Sequence, residues 1–179
     1  MTLMAEVDVW VVRLEGVEPK KGVREASHAA LRAILGQYTG APLDFATGEY
    51  GKPYLPADPH LHFNLSHSHQ LALVAVSRDV EVGVDVEWFR PLPACLAIAE
   101  RFFPPAELAA LMDALPADRE REFFRLWTRI EARLKARGVG LVGAGRELEG
   151  AWSVEAVDAG LDYTASVAAD CGELKVTMR

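Results

Sequence analysis

Cysteine is scarce in this 179-residue sequence: there are two, Cys95 and Cys171, and their separation matches no metal-ligand spacing. A disulfide scaffold is therefore excluded. Basic charge is also in deficit, with 19 Lys and Arg against 26 Asp and Glu and a formal net charge of −7. Phosphate neutralisation needs a basic surface, so no nucleic-acid partner is expected, although a local basic patch stays possible. No apolar run approaches the ~20 residues of a membrane span, so no membrane partner is expected. Residues Met1–Val7 lack a basic stretch followed by an apolar one, so no signal peptide is expected. Two unpaired thiols in a chain without an export signal predict a cytoplasmic protein. What remains is ordinary globular composition, 50% hydrophobic and 25% charged. At roughly 150 residues per domain, the length allows about one.

Residues 5–15 alternate and are rich in Val, which predicts a strand. Over 20–38 the period changes. Val23, Ala30, Leu31, Ile34 and Tyr38 share one helical stripe, with Leu35 at its flank and small Ser27 within it, and Gly40 follows as a stop. Gly, Pro and Asp punctuate 41–60 as loop. Strands are expected at Leu61–Leu65, Leu71–Val76 and Val80–Trp88, before a boundary at Pro91 and Pro93. Helices are expected over Ala94–Phe102, from Pro104-Pro105 onward near Glu107, and over Asp118–Arg137, the last ended by Gly138, Gly140 and Gly143. Three short strands close the chain: Trp152–Val157, Tyr163–Ala168 and Leu174–Met178. This order predicts an α+β fold with helices packed on antiparallel sheet, and it allows two similar halves, 1–90 and 91–179, joined near Pro91–Pro93, with no repeat in the sequence to mark them.

The segment Gly83-Val84-Asp85-Val86-Glu87 places two carboxylates on one strand face, since residues two apart point the same way. Such a pair repels unless a cation, a basic residue or a proton intervenes. Oxygen donors of this kind suit Mg²⁺, which takes one or two carboxylates plus substrate phosphates. A solvated strand face is the plainer reading. In Asp118–Arg137, Phe123, Trp127, Ile130 and Leu134 form a buried stripe, and Phe124, Thr128, Glu131 and Lys135 the adjacent one. Glu131 and Lys135 thus lie one turn apart, either as a surface ion pair or as a third carboxylate beside a phosphate-binding ammonium. Arg121, Arg125 and Arg129 recur every four residues and form a candidate docking strip on this helix, or a solvated face.

Asn64-Leu65-Ser66-His67-Ser68 ends an apolar strand with polar groups that either make a turn or offer donors to an anion. No nucleophile elbow marks a Ser/His hydrolase. His60, His62, His67 and His69 raise a zinc reading, but residues two apart on a strand share a face that must also pack. Gly51-Lys52-Pro53 is a rigid turn holding a lysine. Gly138–Gly145 contains four glycines without a P-loop pattern.

In this order, Gly51-Lys52-Pro53, Phe63-Asn64-Leu65-Ser66-His67-Ser68, Gly83-Val84-Asp85-Val86-Glu87, Phe102-Phe103 with Glu107, and Trp127-Thr128-Arg129-Ile130-Glu131-Ala132 with Lys135 and Gly138-Val139-Gly140-Leu141 resemble the 4′-phosphopantetheinyl transferases, specifically the surfactin-synthetase type. The resemblance covers about residues 20–170. It implies an enzyme that moves the 4′-phosphopantetheine arm of coenzyme A to a serine of an apo acyl or peptidyl carrier protein, releasing adenosine 3′,5′-bisphosphate. Position by position it implies Asp85, Glu87 and Glu131 as Mg²⁺ ligands, with Glu131 also the general base. His67 and Lys135 are implied as phosphate ligands, and Lys52, Ser66 and Arg24 as contacts to the 3′-phosphate and adenine end of coenzyme A. The implied fold is a pseudo-dimer of two α+β halves, monomeric, with the active site in the cleft between them.

The chain departs from the family pattern at one position. Ile130 stands where a Lys directly precedes the helix Glu, and the stripe reading buries it. Ile130 supports one alternative, a non-catalytic coenzyme A or carrier-protein binding relative, and the clustered histidines another, a histidine-site metalloprotein.

Overall fold

The computed structural model describes residues 4–16, 22–140 and 149–179. The expected helix start at Lys20-Lys21, and Leu141, Gly143 and Gly145 of the expected glycine-rich stop, lie outside the described residues. The fold is mixed α+β. In chain order it runs β1 (Met4–Arg13), α1 (Gly22–Leu35), β2 (Ala46–Thr47), β3 (Pro53–Tyr54), β4 (His62–Ser68), β5 (Leu71–Ser77) and β6 (Val82–Trp88). It continues through α2 (Cys95–Phe102), α3 (Pro105–Asp113), α4 (Arg119–Arg137), β7 (Trp152–Val157), β8 (Tyr163–Asp170) and β9 (Glu173–Met178).

One sheet has the order β4-β5-β1-β9, antiparallel except where β9 runs parallel to β1. The other has the order β6-β8-β7 and is antiparallel throughout. Val-rich strands give each sheet an apolar inner face, and the two inner faces pack together. Val7, Val9, Leu73 and Ala75 of the first meet Val84, Val86 and Val167 of the second in one buried cluster.

α1 covers the outer face of the first sheet, with Leu31, Ile34 and Leu35 against Phe63, Val74 and Val76. Complete burial of a Leu or Phe side chain contributes ~1.5–3 kcal/mol, and Val23 adds a second contact with Leu14 and Ala72 that seats the start of α1. α4 covers the outer face of the second sheet. At Gly83 a Cβ would lie 2.1 Å from the Ala132 carbonyl oxygen and 2.3 Å from the Ala136 nitrogen, so only glycine lets the helix backbone approach β6 this closely. α2 and α3 pack on the far flank of α4 through Phe103, Leu111, Phe123 and Ile130. Among the described residues no helix is long and apolar enough to cross a membrane.

The sequence of strand, helix and hairpin occurs twice, as β1-α1-β4-β5 and β6-α4-β7-β8, with the sheet orders β4-β5-β1 and β7-β8-β6. Pairing runs across position 90/91: β6 pairs with β8, and β9 returns to pair with β1. Helix α1 is shorter than the expected 20–38, since turns occupy 36–38. Leu35, expected at the flank, is fully buried, whereas Ala30 is only partly covered. Ile130 is 3% exposed, as its stripe requires, but Trp127 in that stripe is half-open.

Candidate active site

β4 and β6 are the facing edges of the two sheets, and their backbones do not pair. Side chains bridge them instead. The backbone N–H groups of Val84, Val86 and Trp88 point away from β8, because antiparallel pairing uses alternate residues. Asn64 Oδ1 accepts from Val84 N–H at 2.9 Å, Ser66 Oγ from Val86 N–H at 3.3 Å, and Ser68 Oγ from Trp88 N–H at 3.0 Å. The alternation Asn64-x-Ser66-x-Ser68 is thus a polar ladder that satisfies one edge with the other.

The same serines hold the carboxylates. Ser66 Oγ donates to Asp85 Oδ1 at 2.9 Å, and Ser68 Oγ to Glu87 Oε2 at 3.1 Å. Lys135 Nζ donates to Asp85 Oδ1 at 2.6 Å and to Ser66 Oγ at 3.1 Å. Arg90 donates to Glu87 Oε2 at 3.0 Å. Both donors to Asp85 therefore fall on Oδ1, and among the described residues the buried Oδ2 has no hydrogen-bond partner. An uncompensated buried carboxylate oxygen is costly and calls for a cation or donor.

Asp85, Glu87, Glu131, Lys135, Ser66 and His67 border one cavity of about 370 Å³ at this seam. Strand period 2 on β6 and the helical i, i+4 spacing on α4 bring the carboxylates and the ammonium there, as expected. Burial pushes the Asp85 carboxyl up from its ordinary value, against the pull of Lys135. Burial, and then the Asp85 charge, raise Glu131. Burial lowers His67, aided by the cationic charges of Lys135, His28 and Arg24. Among the described residues no three His, Cys, Asp or Glu side chains are grouped closely enough to enclose a metal ion. Asp85 is drawn to Lys135 and Glu87 to Arg90, so each carboxylate is pulled toward its own cation rather than toward Glu131.

Lys52 is not brought to this cavity. Its ammonium donates to Glu81 Oε2 at 2.5 Å, to the Val82 carbonyl at 3.2 Å and to the Ala136 carbonyl at 2.8 Å. It thereby satisfies a carbonyl left open at the α4 C-terminus, where Gly138 ends the helix at φ 70°. Its three donors are committed, so a phosphate would have to displace Glu81. Ser66 does border the cavity, but its hydroxyl is committed within the fold as well. Its single proton goes to Asp85 and its lone pairs to Val86 and Lys135, which exhausts a hydroxyl. Arg24 is exposed on α1, close enough for its charge to act on His67.

The histidines do not gather. His62 pairs with Glu81 at 3.1 Å, and His69 stacks on Trp88 at 4.5 Å, away from His67. The zinc reading loses its ligand cluster. Four residues beyond the expected set shape the site: His28 and Trp127 line the cavity, while Ser68 and Arg90 hold Glu87. The signal for Ser68 was its two-residue spacing from Ser66. That for His28 was its four-residue spacing from Arg24 on one helix face.

Residues 81–160 match the family model described as the 4′-phosphopantetheinyl transferase superfamily. The chain is 41% identical over 122 residues to the 4′-phosphopantetheinyl transferase HetI of Nostoc sp., which covers 65% of this chain and 52% of that protein. It is 35% identical over 105 residues to the 4′-phosphopantetheinyl transferase Sfp of Bacillus subtilis, covering 59% of this chain and 46% of that protein. The chain thus spans about half the length of these curated relatives. With the 4′-phosphopantetheinyl transferase AcpT of Salmonella typhimurium it shares 35% identity over 147 residues, 82% of this chain and 71% of that protein. On that extent of shared sequence, and on the ordered motifs that line the seam, the chain belongs to the 4′-phosphopantetheinyl transferase superfamily.

Proposed function

We propose that this chain transfers the 4′-phosphopantetheine arm of coenzyme A to a serine of an apo acyl or peptidyl carrier protein, with Mg²⁺, releasing adenosine 3′,5′-bisphosphate. The observation that carries the reading is one cavity bordered by Asp85, Glu87 and Glu131 together with Lys135 and His67. The chemistry of the donor set, though not its present spacing, fits a hard divalent cation: three carboxylates, with a buried Asp85 oxygen that has no donor among the described residues. Asp85, Glu87 and Glu131 would hold Mg²⁺, which when bound neutralises charge on the pyrophosphate.

The chain's own residues supply the rest. Lys135 and His67 bind phosphate oxygens from the α4 and β4 sides. Glu131, whose carboxyl burial raises above its ordinary value, is the group we assign to take a proton from the carrier serine. The serine oxygen bonds to the phosphorus that carries the arm, and the bond from that phosphorus to the adenosine bisphosphate oxygen breaks. The serine proton passes to Glu131. The twice-occurring strand-helix-hairpin order supports a pseudo-dimer with this seam as its cleft, complete within one monomer. A cytoplasmic location fits the same substrates.

The test is incubation with coenzyme A, Mg²⁺ and a panel of apo-carrier proteins, read by intact mass. Addition of one arm to a carrier is expected, and its absence across the panel refutes the transfer. A second reading rests on Ile130, which is buried at 3% exposure where the family pattern has a Lys. A chain that retains coenzyme A affinity but modifies no carrier would be the non-catalytic binding relative.

A further inference from the structure

Ser68 lies outside the set of residues expected to touch coenzyme A or metal, yet it repeats the bonding of Ser66 one strand period later. Each serine hydroxyl accepts a β6 backbone N–H and donates to the carboxylate one residue earlier on β6: Ser66 to Asp85 and Ser68 to Glu87. Each carboxylate also receives one cation on that same oxygen, Lys135 on Asp85 Oδ1 and Arg90 on Glu87 Oε2. In both, one oxygen is pinned toward the seam. The other is left over: among the described residues Asp85 Oδ2 is buried without a hydrogen-bond partner, and the hydroxyl and guanidinium that hold Glu87 both fall on Oε2 rather than Oε1. Both side chains border the cavity. A carboxylate pinned through one oxygen keeps its plane, so the second oxygen has a defined direction. Arg90 cannot set that direction alone. Its guanidinium also donates to the Trp88 carbonyl and lies over the Phe124 ring at 4.9 Å, and its pair with Glu87 is partly exposed.

We propose that Ser68 is a positioning residue for the divalent-cation site, fixing Glu87 through Oε2 so that Oε1 faces the cavity. This rests on the metal reading proposed above. The ladder that joins the two sheets and the device that aims the carboxylates are then one set of hydroxyls. The register of β4 on β6 and the geometry of the cation site are coupled.

The test is Mn²⁺ titrated into the protein saturated with coenzyme A, without carrier, followed by electron paramagnetic resonance. Ser68→Ala is expected to weaken Mn²⁺ binding by about 10-fold or more, the usual effect of removing a group that orients a ligand, while coenzyme A affinity changes little. Ser68→Thr, which keeps the hydroxyl, is expected to restore most of the affinity. In a Glu87→Gln background, Ser68→Ala is expected to add nothing, because the serine acts through that carboxylate. Mn²⁺ affinity in Ser68→Ala within about 2-fold of the unaltered protein, or an undiminished loss in the Glu87→Gln background, overturns the inference. Should Ser68→Ala fail to fold, Ser68→Cys keeps the volume with a weak donor, and affinity equal to the unaltered protein would again overturn it. If the unaltered protein takes up no cation, the metal reading itself fails and this inference falls with it.

Discussion

Gly83→Ala tests how α4 is seated. A Cβ at this position would stand 2.1 Å from the Ala132 carbonyl oxygen, 2.3 Å from the Ala136 nitrogen and 3.0 Å from the Ala136 Cα. All three are helix backbone, so no side chain can rotate away. To move the 2.1 Å approach out to an ordinary contact of about 3.4 Å, α4 must retreat from β6 by roughly 1.3 Å. Overpacking of this kind costs about 1–3 kcal/mol, and a rigid backbone neighbour puts the cost at the upper end. For a chain of this size, about 3 kcal/mol lowers Tm by roughly 6–12 °C. The same retreat moves Glu131 and Lys135 away from Asp85, and a misplacement of ~1 Å at a reacting centre costs about 100-fold in rate. Thermal and urea unfolding measure the first effect, and carrier-modification kinetics the second. A Tm within about 2 °C of the unaltered protein, with unaltered kinetics, would refute the close-approach argument.

Three further perturbations have defined outcomes. Glu131 has a raised pKa, so its ionisation opposes folding: the stability is fully present below the unfolded value near 4.3 and declines as pH rises through the folded one. Glu131→Gln is therefore expected to raise Tm at neutral pH, to lose that gain below about pH 4, and to abolish transfer; a lower Tm at pH 7 would contradict the burial argument. Ile130→Lys places an ammonium among Phe103, Phe123 and Leu134, about 100° around the helix from Glu131, so a lower Tm without faster turnover is expected, and faster turnover would show a path from this position to the phosphates. Arg121, Arg125 and Arg129 are all exposed, but Arg121 is tied to the Phe89 ring at 4.0 Å and to the Leu161 carbonyl at 3.1 Å, whereas Arg125 pairs with Glu122 of its own helix at 3.3 Å, so Arg125 and Arg129 are the less committed part of the candidate docking strip. Their reversal to Glu should raise KM for carrier more than for coenzyme A, less so at high salt, and equal effects on both substrates would remove the strip from recognition.

Local periodicity alone determined which side chains share a face. Asp85 and Glu87 project together because a strand alternates, and Glu131 and Lys135 because a helix turns every 3.6 residues. Ile130 is buried because its stripe is apolar, and the strand and helix positions follow from the same two periods. Tertiary structure decided what those faces meet. No local pattern in β6 says that it joins β8 rather than β4, or that β9 returns to lie parallel to β1, since edge choice depends on which apolar faces remain to be covered across the whole chain. The unpaired edges of β4 and β6 in turn drew Ser66 and Ser68 into bridging the seam. The end of α4 took the Lys52 ammonium, because an open helix carbonyl and Glu81 lie there and a turn lysine in sequence carries no sign of either. A residue's type and spacing set what it can bond. Its partner is set by the unsatisfied group that folding places beside it.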